Sequence, residues 1–207
     1  MIHLLLVRHG MTSWNALGRL QGQSDIALNE TGRRQSAALA ARLANEPFDA
    51  IYASDLQRAW YTAQAIAAAH HRPVYPEPCL REIHFGEWEG LTYAEIQQRD
   101  PQAAAAWQED LLGFAPPGGE TLAQLTTRVQ AFVEQMKREH AEQTILLVAH
   151  GGPLQVLLCL ALGLPSSMYW QFHLAPASLS RLALYPQGAI VNLLNDPCHL
   201  DAQEGIG

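Results

Sequence analysis

Cysteine is scarce in this chain. Cys79, Cys159 and Cys198 are its only three in 207 residues, far apart and odd in number. That excludes a disulfide-stapled scaffold, and no pair has the spacing of a metal site. All three are expected as reduced thiols, with Cys159 among apolar neighbours. Long hydrophobic runs are also missing: none reaches the roughly 18 residues of a spanning helix. No basic region or cleavage signal precedes the first apolar run, so a cytoplasmic setting with no membrane partner is expected. Positive charge is the minority sign, 13 Lys and Arg against 20 Asp and Glu, for a net charge of −7. With no basic cluster either, nucleic acid is not an expected partner. Internal repeats and low-complexity linkers are absent; the alanine run at 103–106 is simply good helix former.

Two apolar runs end alike. Ile-His-Leu-Leu-Leu-Val at 2–7 runs into Arg8-His9-Gly10, and Thr-Ile-Leu-Leu-Val-Ala at 144–149 runs into His150-Gly151-Gly152. Short branched-apolar runs fit strands covered on both faces, as in a parallel sheet. Ligands of such sheets sit beyond the carboxyl ends of the strands, so His9 and His150 can meet at one edge. Strand and helix signals alternate at both ends of the chain. The expected fold is α/β: a mostly parallel central sheet flanked by helices, one domain over 1–207, with a helical cap inserted at about 83–120.

Local signals place the other elements. Asn29 caps a helix over about 30–44, strand 49–53 follows, and Ser54 is the expected cap of a helix to about residue 70 with Arg58 in its second turn. An extended piece near Val74-Tyr75 leads to Leu80-Arg81-Glu82. Thr92 with Glu95 and Thr121 with Gln124 have capping-box spacing, and Asp100-Pro101 is a cap followed by first-turn proline. These predict two short helices over 92–112 and a long one over about 121–140. Gly152-Pro153 opens a helix to about residue 162, Pro165 starts a short turn, and 178–185 with 189–194 read as a closing hairpin.

Neutral histidine is a fair nucleophile towards phosphorus, provided a carbonyl or carboxylate fixes its tautomer. Arg8 offers a planar fork suited to phosphate oxygens. Arg58 lies near a helix start, an end favourable to anions. Glu82, between Leu80 and Ile83, has the setting of a general acid. Taken singly, each has a plain structural reading: a carboxylate-paired arginine, a strand-end glutamate facing water, a structural histidine.

Together they match a pattern. Leu-Val-Arg-His-Gly-Met-Thr-Ser-Trp-Asn at 6–15, Leu-Gln-Gly at 20–22, Leu-Asn-Glu-Thr-Gly-Arg-Arg-Gln at 28–35 and Ala-Ser-Asp-Leu-Gln-Arg-Ala at 53–59 come first. Arg-Glu-Ile-His-Phe-Gly-Glu-Trp-Glu-Gly at 81–90, Gly-Gly-Glu-Thr at 118–121 and Val-Ala-His-Gly-Gly at 148–152 follow. Over its full length the chain resembles the histidine phosphatase superfamily, the phosphoglycerate-mutase-like fold. The resemblance implies that His9 is the phosphorylated nucleophile and Glu82 the proton donor. It implies that Arg8, Arg58 and His150 hold the phosphoryl oxygens with Asn15 assisting; Gln21, Gly22 and Gly151 complete the expected substrate-binding set. Neither metal nor cofactor is implied. The partner would be a small phosphorylated metabolite.

The chain is short and has Phe85-Gly86-Glu87-Trp88-Glu89-Gly90 after Glu82. That resembles the compact phosphatases, first the α-ribazole-phosphate phosphatases. Metal-independent phosphoserine phosphatases are the alternative, sharing the Cys-His-Leu of 198–200, though they carry histidine where Phe85 stands; here His84 lies one place earlier. Cofactor-dependent phosphoglycerate mutase is the third reading. A non-enzymatic phospho-ligand binder would need His9, Arg58, Glu82 or His150 replaced, and all four are present. Trp88, Trp107, Leu111 and Phe114 read as cap core. Phe85 and Trp88 nevertheless lie in the segment that sets selectivity and offer aromatic surface there, which leans the expectation to a nucleotide-like monoester such as α-ribazole 5′-phosphate. A homodimer through the hairpin at 178–194 is left open.

Overall fold

The computed structural model describes residues 1–201. Six strands form one sheet: β1 (Ile2–Arg8), β2 (Ala50–Ala53), β3 (Val74–Pro76), β4 (Thr144–Ala149), β5 (Leu179–Tyr185) and β6 (Gly188–Asp196). Their order is β3-β2-β4-β1-β5-β6. β3, β2, β4 and β1 run parallel, and the β5–β6 hairpin adds to β1 antiparallel, so the sheet is mostly parallel, as expected. Eight helices accompany it among the described residues: α1 (Ser13–Ala16), α2 (Glu30–Leu43), α3 (Gln57–His70), α4 (Tyr93–Arg99), α5 (Pro101–Glu109), α6 (Leu122–Glu139), α7 (Gly151–Leu162) and α8 (Cys198–Asp201). None of the described helices is long and apolar enough to cross a membrane.

β1 and β4 are apolar throughout because both faces are covered. Leu5, Val7, Leu146 and Val148 pack with Leu39 and Leu43 of α2 and Ala63 and Ile66 of α3. Leu4, Leu6, Ile145 and Leu147 pack with Leu125, Val129 and Phe132 of α6 and Leu154 and Leu158 of α7. Each fully buried leucine or valine contributes about 1.5–3 kcal/mol relative to exposure. A slip of β1 would draw His3 or Arg8 between these apolar layers, which holds the strand in place.

The cap shares the α6–α7 side. Ile96 of α4, Ala104 of α5 and Trp88 belong to the same buried cluster as Leu125 and Leu154. Trp88 meets Trp107 edge-on at 5.7 Å and Phe114 at 6.0 Å, so these rings form cap core. Both expected capping boxes are present, at Thr92–Glu95 and Thr121–Gln124, and Asp100 caps α5 ahead of Pro101.

Three expectations need correction. Ser54 does not cap α3: the helix begins at Gln57, Leu56 stands at the cap position without a side-chain bond, and Ser54 Oγ takes the Leu56 N–H at 3.4 Å and His150 Nε2 at 2.8 Å. Arg58 is accordingly in the first turn rather than the second. Glu82 does not end a strand. β3 stops at Pro76, Glu77 caps a 3-10 turn at Pro78–Leu80, and Glu82 follows in irregular chain.

Candidate active site

Strand register brings the two histidines together. Arg8 of β1 pairs with Ala149 of β4, and the His9 N–H donates to the Ala149 carbonyl at 2.9 Å. From there the chain leaves β1 towards the α2–α3 side and leaves β4 into α7 on the opposite face. A crevice opens between the adjacent strand ends, as at the switch point of an open α/β sheet. The His9 and His150 ring centroids are 5.0 Å apart. β2 continues the register: Ser54 N–H donates to the Val148 carbonyl at 3.0 Å, which sets the Ser54 hydroxyl beside His150.

The tautomers follow from the partners. His9 Nδ1 lies 2.7 Å from the Gly10 carbonyl, which can only accept, so Nδ1 carries the proton and Nε2 keeps its lone pair. Burial first, then the charges of Arg58 and Arg8, holds the His9 ring well below its ordinary pKa, against the pull of the Gly10 bond. His9 is therefore neutral at pH 7. In His150, Nδ1 accepts from Arg58 Nε at 3.2 Å, so its proton is on Nε2, which donates to Ser54 Oγ at 2.8 Å. Burial, then Arg58, keeps this ring neutral as well.

A cavity of about 250 Å³ lies over these groups, lined by Arg8, His9, Asn15, Gln21, Arg58, Glu82 and Gly151, with Phe85, Gln155 and Tyr169 among the rest. Two expected members stand behind it. His150 is fully buried and holds Arg58 and Ser54 instead of facing the cavity. Gly22 presents its carbonyl to Arg58 Nη2 at 2.6 Å, while Ser24 takes Nη1 at 2.8 Å. Burial lowers the Arg58 guanidinium to about 10, still a cation at neutral pH. Arg8 Nη1 donates to the Leu174 carbonyl at 2.6 Å, while its buried Nε has no hydrogen-bond partner among the described residues. This donor is open to an acceptor that the described residues do not supply. Thr12 completes the donor side: its N–H donates to Asn15 Oδ1 at 3.1 Å and its hydroxyl donates to Gln21 Oε1 at 2.9 Å. Both amide oxygens are thus occupied, leaving the NH₂ groups of Asn15 and Gln21 as donors.

Glu82 faces this donor set. Its Oε1 accepts from Ile83 N–H at 2.9 Å and Gly152 N–H at 3.1 Å, the latter from the first turn of α7. Glycine at 152 leaves the carboxylate this position, because a β-carbon there would displace Glu82 Oε1.

Several contributors had escaped the sequence reading. Arg128 of α6 donates to the carbonyls of Cys79, Arg81 and Glu82 at 2.6, 2.7 and 3.0 Å and pairs with Glu120 at 2.6 Å. Glu120 in turn accepts from His84 N–H at 3.0 Å. Glu89 accepts from Gln23 N–H at 2.9 Å and Ser24 N–H at 2.8 Å, fixing the loop whose carbonyls hold Arg58. Gly22 sits at φ +50, and a β-carbon there would collide with the Glu89 carboxylate. Glu89 and Glu120 lie inside motif segments that had been noticed; nothing local marked Arg128. His84, 42 % exposed, lies 3.6 Å from Glu89 and does not line the cavity. Trp88 stays in the cap core and Phe85 alone of that pair reaches the cavity wall, which corrects the expected aromatic surface.

Comparison with known proteins bears on the whole chain. Residues 4–197 match the family model of the histidine phosphatase superfamily (branch 1). Phosphoserine phosphatase 1 of Hydrogenobacter thermophilus is 36% identical, covering 97% of this chain and 95% of that protein. The adenosylcobalamin/alpha-ribazole phosphatase of Salmonella typhimurium is 31% identical, over 94% and 96%. Among solved structures, the alpha-ribazole phosphatase of Shigella flexneri superposes with a TM-score of 0.88 at 30% identity, over 94% of this chain and 96% of that one. Ordered motifs, sheet topology and the paired histidines all point the same way: the chain belongs to the histidine phosphatase superfamily.

Proposed function

We propose that the chain hydrolyses small phosphate monoesters through a phosphohistidine at His9. One observation carries this reading: Nδ1 is committed to the Gly10 carbonyl, which leaves the Nε2 lone pair of a neutral, buried ring for phosphorus. Arg8, Arg58, Asn15 and Gln21 supply donors to the phosphoryl oxygens, stabilising the charge that spreads over them in the transition state. His150 keeps Arg58 in place from behind. His9 attacks, the ester P–O bond breaks, and Glu82 gives a proton to the departing oxygen. Glu82 then takes a proton from water as it attacks phosphorus, releasing phosphate and restoring His9.

The test is rapid quenching with labelled substrate. Acid-labile, base-stable label on wild type, and a folded His9→Ala variant with neither label nor turnover, are expected. A folded His9→Ala enzyme that still turns over would overturn the mechanism. Because guanidinium groups neutralise the charge, EDTA should leave the initial rate within about 2-fold of untreated enzyme. A strict requirement for added Mg²⁺ or Zn²⁺ would contradict that assignment.

The substrate reading is narrower. A cavity of about 250 Å³ falls below the roughly 300–1,000 Å³ of drug-sized sites. With Trp88 withdrawn into the cap, this favours a compact ester of the size of phosphoserine. Phe85 on the wall supports α-ribazole 5′-phosphate as the second reading. The deciding measurement is kcat/KM for the two esters under the same conditions.

A further inference from the structure

At Gly151 two acceptors, Gln155 Oε1 and Glu82 Oε2, face the opening beside the Arg8 guanidinium. Gln155, one turn into α7, donates Nε2 to the Phe172 carbonyl at 2.6 Å. A carbonyl can only accept, so the amide orientation is fixed and Oε1 is left as an acceptor. Gln155 Oε1 and Glu82 Oε2 both lie 3.8 Å from the place a β-carbon on Gly151 would occupy, with the Arg8 guanidinium carbon at 3.9 Å. Glycine at 151 leaves that volume open to a ligand. Tyr169 closes the same side of the cavity, and its hydroxyl makes no hydrogen bond to any described residue.

From this arrangement we propose that Gln155 and Tyr169 read a hydrogen-bond donor, a hydroxyl or an ammonium, on the carbon next to the ester-bearing carbon of the substrate. The proposal rests on the phosphomonoesterase reading and adds the chemistry of the alcohol portion. Glu82 Oε2 and Gln155 Oε1 border the one opening at Gly151, so a departing oxygen at Glu82 sets a donor on the adjacent carbon towards Gln155 Oε1, with Tyr169 on the same cavity wall as its second partner. An alkyl group in the same place would displace water from this acceptor and leave it unpaired, a loss of the order of 10-fold in binding. Arg8, on the phosphate side of the same opening, sets a hydroxyl and an ammonium apart by charge.

Three esters of nearly equal size isolate the effect: 2-hydroxyethyl, 2-aminoethyl and n-propyl phosphate. Wild type is expected to show kcat/KM at least about 10-fold higher for one or both donor-bearing esters than for the propyl ester. In Gln155→Leu that ratio should fall towards unity, and in Tyr169→Phe it should fall part of the way. The ratio is the readout, so a general loss of activity in either variant does not obscure it. A wild-type ratio within about 2-fold of unity, or a ratio unchanged in both variants, overturns the proposal while phosphohistidine chemistry stands. If no ester is turned over and no phosphohistidine forms, the functional reading and this one fall together.

Discussion

Arg128 shows how a residue far from the reacting atoms can govern them. One guanidinium gathers three consecutive-segment carbonyls, at Cys79, Arg81 and Glu82, and is itself held by Glu120. A lysine keeps the charge but not the fork, and its single ammonium cannot span three acceptors. Arg128→Lys should therefore let the Glu82 segment drift. Because Glu82 is proposed to protonate the departing oxygen, the loss belongs to poor leaving groups. We expect kcat/KM, which reports phosphoryl transfer to His9 and not the later hydrolysis that both substrates share, to fall about 10-fold or more for an alkyl phosphate and far less for p-nitrophenyl phosphate, whose anion leaves without a proton. Equal losses on both would show that Arg128 supports the fold in general and not the carboxylate. Such a residue has no local signature. Its partners lie 46 to 49 positions away on the proton-donor segment, and only the folded chain reveals them.

Element by element, the legible parts were those fixed by neighbours in sequence. Capping boxes act over three residues, so Thr92–Glu95 and Thr121–Gln124 marked α4 and α6 to within a residue or two. Doubly covered strands advertise themselves by unbroken apolar runs, as β1 and β4 did. Ser54 misled because its hydroxyl takes the Leu56 N–H in a turn ahead of the helix, not a first-turn N–H, and serves His150, 96 positions on. The helix α7 adds a test of its own. Its first-turn Gly152 N–H holds Glu82, and helix propensity and site geometry pull in opposite directions there. Gly152→Ala gains about 1 kcal/mol of helix propensity, yet its methyl group displaces the Glu82 carboxylate. Turnover of alkyl phosphates should drop by about 10- to 100-fold, with thermal unfolding little changed. Unaltered turnover in a folded Gly152→Ala protein would remove Glu82 from the position assigned to it.

At the scale of the molecule, the fold keeps two neutral histidines, the buried Arg58 and the half-buried Arg8 within one crevice, and that choice has a cost in acid. An unfolded histidine takes up a proton near pH 6.5. Burial, reinforced by Arg58, delays protonation of His9 and His150 in the folded state until well below that value. Between the two values the unfolded chain binds more protons, so each falling pH unit favours unfolding. The stability that the neutral rings contribute is complete above about pH 6.5 and is lost as the pH falls towards their folded values, by about 1.4 kcal/mol per unit for each histidine. Asp55, bonded to Arg81, and Asp196, bonded to the Cys198 N–H and Arg42, are held below the usual carboxylate range and titrate only in stronger acid. Urea unfolding at pH 7.5 and pH 5.5 should therefore show a marked loss of stability at the lower pH. His9→Gln should lose less between the two pH values by about 1.4 kcal/mol, the share of one ring over the single unit below pH 6.5. A protein equally stable at both values would mean that the rings take up protons in place. Saturating inorganic phosphate, bound through Arg8 and Arg58, should raise stability at both pH values without restoring the wild-type slope in His9→Gln.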